Sequence, residues 1–301
     1  MVLRNVLRPD EVEAVSDEFA AGLARKDPTD LIAGVRQQLN WTNLDEHSPK
    51  IQALLEDRRF YGAAQQLLGD DVIGFDSNCN FYSGDRSPWH PDVGSELVGL
   101  KFTLYLTPVD ADSGALRCIP GSHDPAFSAA IHEVPLADVN DWEGEGAEGG
   151  LRVDEVPATV LDSQPGDAVM FDFRLWVSDA SAFRAHIRAS LADDFATDQQ
   201  HGSWKGGSDR RMFSLQYYKS PKTAAETEAM RSHVEGAVAQ RRELKAKGFQ
   251  TTNKDGVFGL MRGYPQFWLD NHPRNPDRAR WIKLLQGWEL VGGTEDAPST
   301  W

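Results

Sequence analysis

Cysteine is almost missing from this chain: two in 301 residues, Cys79 and Cys118, with no Cys-x-x-Cys spacing. That excludes a disulfide scaffold and a cysteine-built zinc site, and it suits a reduced cytoplasmic protein whose two thiols sit in apolar strands. Long hydrophobic runs are missing too. No apolar stretch reaches bilayer-spanning length, and the start, Met1 to Pro9, holds none long enough for a signal peptide. Positive charge is in deficit, 31 lysines and arginines against 46 aspartates and glutamates, for a formal net charge of −15. Such a surface opposes unassisted contact with nucleic acid or an anionic membrane, so neither is expected as a partner and a small-molecule substrate is. Nothing in the sequence bears on oligomeric state.

What is present divides the chain into three parts of one expected domain spanning 1–301. Over 1–70, Val12, Val15, Phe19 and Leu23 recur at helical spacing behind Pro9, and further helical stretches begin at Ser48-Pro49 and at Asp57, the last stopping at Gly69. Over 71–219 the text changes to short apolar or alternating runs: Val72 to Phe75, Cys79 to Tyr82, Val98 to Leu106, Ala115 to Ile119, Thr159 to Leu161, Ala168 to Phe173 and Met212 to Tyr218. Strands of this length and spacing predict a mainly β jelly roll or barrel with flanking helices. Over 220–301 helices return, from Thr223 to Lys247 and from Pro276 to Trp288. The glutamate- and glycine-rich stretch Glu143 to Gly150 has nothing to bury and reads as a surface loop. Val177 to Gln200 reads as an insertion, its Ala182, Phe183, Ile187, Leu191 and Phe195 spaced as on an amphipathic helix.

The chemistry is concentrated in Trp89-His90-Pro91-Asp92 and in His201-Gly202-Ser203, followed by Arg210-Arg211. A histidine and a carboxylate two apart on a strand point to the same side, and a distant histidine can complete a three-ligand face on one metal ion. Between them lie Gly114-Ala115-Leu116, Pro120-Gly121-Ser122-His123 and Pro165-Gly166-Asp167, each a turn signal beside a strand.

In this order the motifs resemble the phytanoyl-CoA dioxygenase family, a branch of the iron(II)- and 2-oxoglutarate-dependent oxygenases. The resemblance runs from the helical start to Tyr218. It implies a double-stranded β-helix, the cupin-like jelly roll, with Fe2+ at its open end and 2-oxoglutarate and O2 as co-substrates. His90, Asp92 and His201 would be the metal ligands, and Arg211 would hold the distal carboxylate of 2-oxoglutarate, helped by the Ser203 hydroxyl. The sequence departs from the pattern after Arg174-Leu175-Trp176, where Val177 stands in place of the expected histidine. Displacement by the residues 177–200 accounts for this, with the ligand returning as His201; His186, inside the insertion, is the competitor and lacks the following Gly-Ser and arginines. Halogenases of the family lose the carboxylate ligand, and Asp92 is retained.

Only one of two adjacent arginines on a strand can face the interior. Arg211 is chosen because Phe213 and Leu215 share its face. Thr103, on one face with Lys101 and Tyr105, is an added co-substrate contact. The expected reaction is oxidation of a small organic substrate, hydroxylation by default and suited to secondary metabolism, with 2-oxoglutarate decarboxylated to succinate and no side chain needed as general base. Two rivals stand beside it. A hydrolase using zinc or manganese on the same ligands would have no use for a buried arginine, and a non-catalytic ligand-binding jelly roll follows if Val177 marks true loss of the third ligand. The insertion is expected to act as a substrate lid through Phe183 and Phe195.

Overall fold

The computed structural model describes residues 1–25, 38–82, 89–94, 97–111, 113–133, 156–178, 209–233, 266–270 and 274–288. The chain begins with a two-residue strand, β1 (Val2–Leu3), and enters helix α1 (Pro9–Ala24) at Pro9, whose missing N–H is one that a first turn leaves unpaired anyway. After β2 (Gln38–Thr42) come two short helices, α2 (Pro49–Leu54) and α3 (Tyr61–Leu68). The strands β3 (Val72–Tyr82), β4 (Gly99–Tyr105) and β5 (Arg117–Cys118) follow, then α4 (Pro125–His132). Next are β6 (Thr159–Val160), β7 (Ala168–Asp172), β8 (Val177–Ser178) and β9 (Arg210–Lys219), a helical run over 224–233, α5 (Gln266–Asp270) and α6 (Pro276–Gly287).

Two antiparallel sheets result, one in the order β1-β7-β4-β9-β3-β2 and one in the order β6-β5-β8. His90 extends the smaller sheet through an antiparallel bridge to Val177. Strands that alternate between the two sheets along the chain make a double-stranded β-helix, the expected jelly roll. Its inside is marked by Tyr82, Tyr105 and Met212 of the large sheet packing with Cys118, Leu161 and Val177 of the small one. The outer face of the large sheet is covered by helices: Phe60 meets Phe102 edge-on at 5.4 Å, and the buried Tyr217 hydroxyl donates to the Leu55 carbonyl at 2.9 Å. Both faces being covered, β3 is buried at every position, which removes the alternation that marks a half-exposed strand.

The expected helices at Pro9, Pro49 and Pro276 are present, and the stretch expected as helix from Asp57 contributes α3. Two expectations for the first half are corrected. Gln38–Thr42 is a strand within the stretch expected to be helical, with Trp41 packing on Phe19 of α1 at 4.8 Å. The two runs Val72 to Phe75 and Cys79 to Tyr82 are one strand, its register shifted by a bulge between Gly74 and Asp76. Gly74 is required there, because a Cβ would lie 2.6 Å from the Trp281 ring of α6. Both cysteines are buried and unbridged. Among the described residues no helix is long and apolar enough to cross a membrane.

The helical layer is tied together by Arg59, whose guanidinium takes Glu11 of α1 in a two-pronged pair at 2.8 and 2.9 Å while also holding Asp57 at 2.7 Å. Arg59 holds the Glu11 carboxyl down at about 2, with burial opposing. A carboxylate depressed in the folded state adds stability that is complete above its unfolded value and is lost as pH falls through the folded one. Glu11→Gln should therefore cost about 1–2 kcal/mol at neutral pH, a figure discounted for partial solvent screening, with the difference from wild type shrinking between about pH 4.5 and 2. Urea unfolding at neutral and acid pH measures it; an equal loss at both would remove the ion pair as its cause.

Candidate functional site

His90 and Asp92 lie on the segment that pairs with β8 and the turn before it. His90 exchanges two backbone hydrogen bonds with Val177, at 3.0 and 2.9 Å, and the Asp92 N–H donates to the Phe173 carbonyl at 2.9 Å. The arm carrying the pair is thus pinned at both residues by backbone, which sets the direction of both side chains. His90 Nε2 stands 3.7 Å from Asp92 Oδ1, with the imidazole 41% and the carboxylate 18% exposed. Donors on adjacent corners of a metal with bonds of about 2 Å are about 3 Å apart, so a small closure brings both onto one ion. Imidazole nitrogen with carboxylate oxygen is also the donor chemistry of a non-haem iron face.

The other oxygen, Asp92 Oδ2, accepts from Lys101 Nζ at 3.3 Å. Burial alone would push the Asp92 carboxyl up; the Lys101 ammonium and the neighbouring His90 overcome it and bring it down to about 2. The group is therefore a carboxylate at neutral pH, with Oδ2 oriented by a cation and Oδ1 turned toward His90.

Inside the barrel the pairing register builds polar rows across three strands. Asn78, Ser214 and Thr103 stand in one row, and Gln216 and Lys101 in the next. The Ser214 hydroxyl donates to Asn78 Oδ1 at 2.5 Å, and Asn80 Nδ2 donates to the same oxygen at 3.1 Å. Thr103 is where the sequence reading put it, on a buried interior face with Lys101 and Tyr105. Asn78, Asn80 and Ser214 were not singled out from sequence, although Asp76, Asn78 and Asn80 recur at strand period, which is a legible signal.

The choice between the arginines is reversed. Arg211 is exposed, and Arg210 is 4% exposed, its Nη1 donating to the Gly114 carbonyl at 2.8 Å and its guanidinium lying 4.7 Å from the Tyr82 ring centre. The expectation assumed that Phe213 and Leu215 line the barrel. They pack instead in the helix-covered core with Phe60 and Phe102, so their face, which is also Arg211's, points outward. Gly114, at φ 89°, makes room for Arg210: a Cβ there would come within 2.9 Å of Nη1.

Val177 is also corrected. It does not begin an inserted helix; it and Ser178 form β8, paired with Cys118 and Arg117. The Pro120-Gly121-Ser122 turn supports this strand, the Ser122 hydroxyl accepting from the Trp176 N–H at 2.8 Å while donating to the Ile119 carbonyl at 2.7 Å. His201 and Ser203, the competitor His186, and Phe183 and Phe195 of the expected lid lie outside the described residues. Among the described residues no three histidine, cysteine or acidic side chains gather as a metal site.

His233 is partly buried, the last described residue of the helical run, its ring 6.4 Å from that of Tyr218. Burial lowers its affinity for a proton, the charge of Asp92 opposing. Tyr218 stacks on Phe173 at 4.7 Å, and burial together with the charges of Asp92 and Asp76 keeps its phenol protonated.

Comparison with known proteins agrees with this architecture. The ectoine dioxygenase of Bordetella bronchiseptica is 29% identical over 99 residues, 29% of this chain and 32% of that protein. The ectoine dioxygenase of Sphingopyxis alaskensis is 28% identical over 153 residues, 45% and 49% of the two chains. The matched stretch therefore spans 32% to 49% of the length of these curated relatives. HygX of Streptomyces hygroscopicus, solved with nickel and 2-oxoglutarate bound, superposes with a TM-score of 0.50 at 13% identity, covering 74% of this chain and 83% of that one, a likeness of fold. The family model for phytanoyl-CoA dioxygenase matches residues 1–178, which take in helices α1 to α4, the His90–Asp92 arm and every strand but β9, and the chain belongs to that family.

Proposed function

We propose that this chain is an iron(II)- and 2-oxoglutarate-dependent dioxygenase that oxidises a small organic molecule, by hydroxylation, as 2-oxoglutarate is decarboxylated to succinate. The observation that carries the reading is the pinned His90–Asp92 pair of a barrel whose interior holds a buried arginine. His90, Asp92 and His201 would hold the iron, which when bound supplies the activation of O2 that no side chain of this barrel offers. Asp92 presents Oδ1 because Lys101 occupies Oδ2. Arg210 takes the part first given to Arg211: a carboxylate in an apolar barrel needs a charged partner, and a guanidinium provides two parallel hydrogen bonds. Thr103 and Ser203 add hydroxyl donors. Tyr105, Val169, Phe171 and Met212 keep the interior dry, so that the substrate and not water meets the oxidant. The partial matches to ectoine dioxygenases support a small soluble substrate.

At saturating iron(II) without oxygen, 2-oxoglutarate should develop the weak visible charge-transfer band of a chelated 2-oxo acid, and admitting oxygen should yield succinate. His90→Ala and Asp92→Ala should each remove the band, while His186→Ala retains it. A band that survives loss of His201 but not of His186 would reverse the ligand assignment. Zinc-dependent hydrolysis with no succinate would replace the reading by that of a hydrolase.

A further inference from the structure

Val177 stands directly across from His90 in a pair that exchanges both backbone hydrogen bonds, so the two side chains leave the sheet on the same side. That side is the barrel interior: Val177 is 2% exposed and packs with Tyr82, Tyr105, Phe171 and Met212. An isopropyl group offers no electron pair. With Val177 in this place the strand pair presents two donors, His90 and Asp92, where a three-ligand face needs three.

What holds the place is the residue that follows Trp176. Trp176 is fixed through its N–H to Ser122, its indole N–H to Ser128 Oγ at 2.9 Å and its carbonyl, which accepts from the Ile119 N–H at 3.0 Å. Whichever residue comes next therefore enters the sheet opposite His90. The chain from β8 to β9 then runs from 179 to 209, far beyond the length of ordinary connections in a compact fold. Were His201 next, only 203–209 would join the two strands. The family match also ends at residue 178, two residues past Trp176.

Resting on the functional reading above, we propose that the form of this enzyme with a complete three-ligand face is a chain in which Trp176 is joined directly to His201, residues 177–200 being absent, so that His201 takes the place of Val177 opposite His90, the full chain holding iron more weakly through His90 and Asp92. The ends of the stretch suit removal from the message, with no peptide bond cut. Every valine codon begins with GT, Val177-Ser178 can be written GTGAGT and Gln200 can be written CAG, which are the ends of a spliced intron, and whole codons keep the reading frame.

The test compares anaerobic iron(II) binding, by titration calorimetry, in three proteins: the full chain, the chain lacking 177–200, and the full chain carrying Val177→His. The last supplies the imidazole in the same place without altering the connection, and stands in if the shortened chain fails to fold. Both altered proteins should bind one iron per chain at least about tenfold more tightly than the full chain, as expected for a gained ligand, and His201→Ala in the shortened chain should remove the gain. Transcripts in which the codons of Trp176 and His201 adjoin should be recovered by reverse transcription. A full chain that binds iron as tightly as the other two, or messages that always carry the stretch, would overturn the proposal. If none of the three binds metal, the functional reading falls first, and the barrel is a non-catalytic one.

Discussion

Arg210→Ala should raise the apparent constant for 2-oxoglutarate by about two to three orders of magnitude while leaving iron(II) binding nearly unchanged. Arg211→Ala should shift either by less than about twofold. A charge-assisted two-pronged contact in a sheltered site is worth about 3–4 kcal/mol to a complex, and each 1.4 kcal/mol is tenfold. Arg210 meets the conditions: it is buried, on the interior face of β9, and oriented by the Gly114 carbonyl and the Tyr82 ring. Arg211 is exposed on the opposite face, where a charge is solvated and its loss is small. Arg210→Lys should recover part of the affinity, since it restores the charge without the planar fork. Anaerobic titration followed by the charge-transfer band reads all of these, with thermal unfolding as the control for lost packing. A larger effect from Arg211 than from Arg210 would place the co-substrate elsewhere.

That reversal shows where sequence reading stops. The strand period correctly says that Arg210 and Arg211 face opposite ways, but it does not say which way is in. In a jelly roll covered by helices the outer face is as apolar as the inner one, and here the more apolar face of β9, Phe213 and Leu215, is the outer one. The continuity of β3 was concealed by Asp76-Ser77-Asn78, polar residues that are buried within one strand. By contrast, the closeness of His90 and Asp92 was legible because it follows from spacing alone, and the structure keeps them 3.7 Å apart. That Thr103 shares a face with Lys101 was legible because the two lie two residues apart on a strand whose alternation holds. The role of Lys101 as the partner of Asp92 was not, since nothing local joins residues on different strands; only the register of β4 against its neighbours and the pinning of the arm through Phe173 brings them to 3.3 Å. The place of Val177 is of the same kind. The sequence has a valine after Trp176, and only the pairing shows that it stands opposite His90.

The large sheet is backed from the C-terminal side, and there Arg278→Ala should cost about 3–5 kcal/mol at neutral pH, the scale for breaking a buried ion pair by removing one partner. Arg278 and Glu56 are 7% and 13% exposed with Arg278 Nε 2.6 Å from Glu56 Oε1. The guanidinium also lies 3.8 Å from the Trp268 ring centre and donates to Gln52 Oε1 at 3.3 Å. Burial already pushes the Glu56 carboxyl up, with the Arg278 charge opposing. Without Arg278 it should rise further, so the folded chain would hold a proton that the unfolded chain has released. Stability tied to such a raised group is present at low pH and lost as pH rises through the folded value, so the deficit of Arg278→Ala should shrink as pH falls toward about 4.5. Adding Glu56→Gln should recover most of the loss at neutral pH, because no buried charge then remains unpaired. The pair holds the start of α6, capped by Asn275, whose side chain also meets Glu56. From that helix Trp281 closes over Gly74 at the bulge of β3, the strand that carries Asn78 and Asn80 into the barrel. Loosening α6 should therefore weaken 2-oxoglutarate binding in step with unfolding and not before it. Urea unfolding of both single variants and the double variant, at neutral pH and near 4.5, decides the matter. A pH-independent deficit that Glu56→Gln does not relieve would mean that Arg278 acts through its packing on Trp268 and not through its charge.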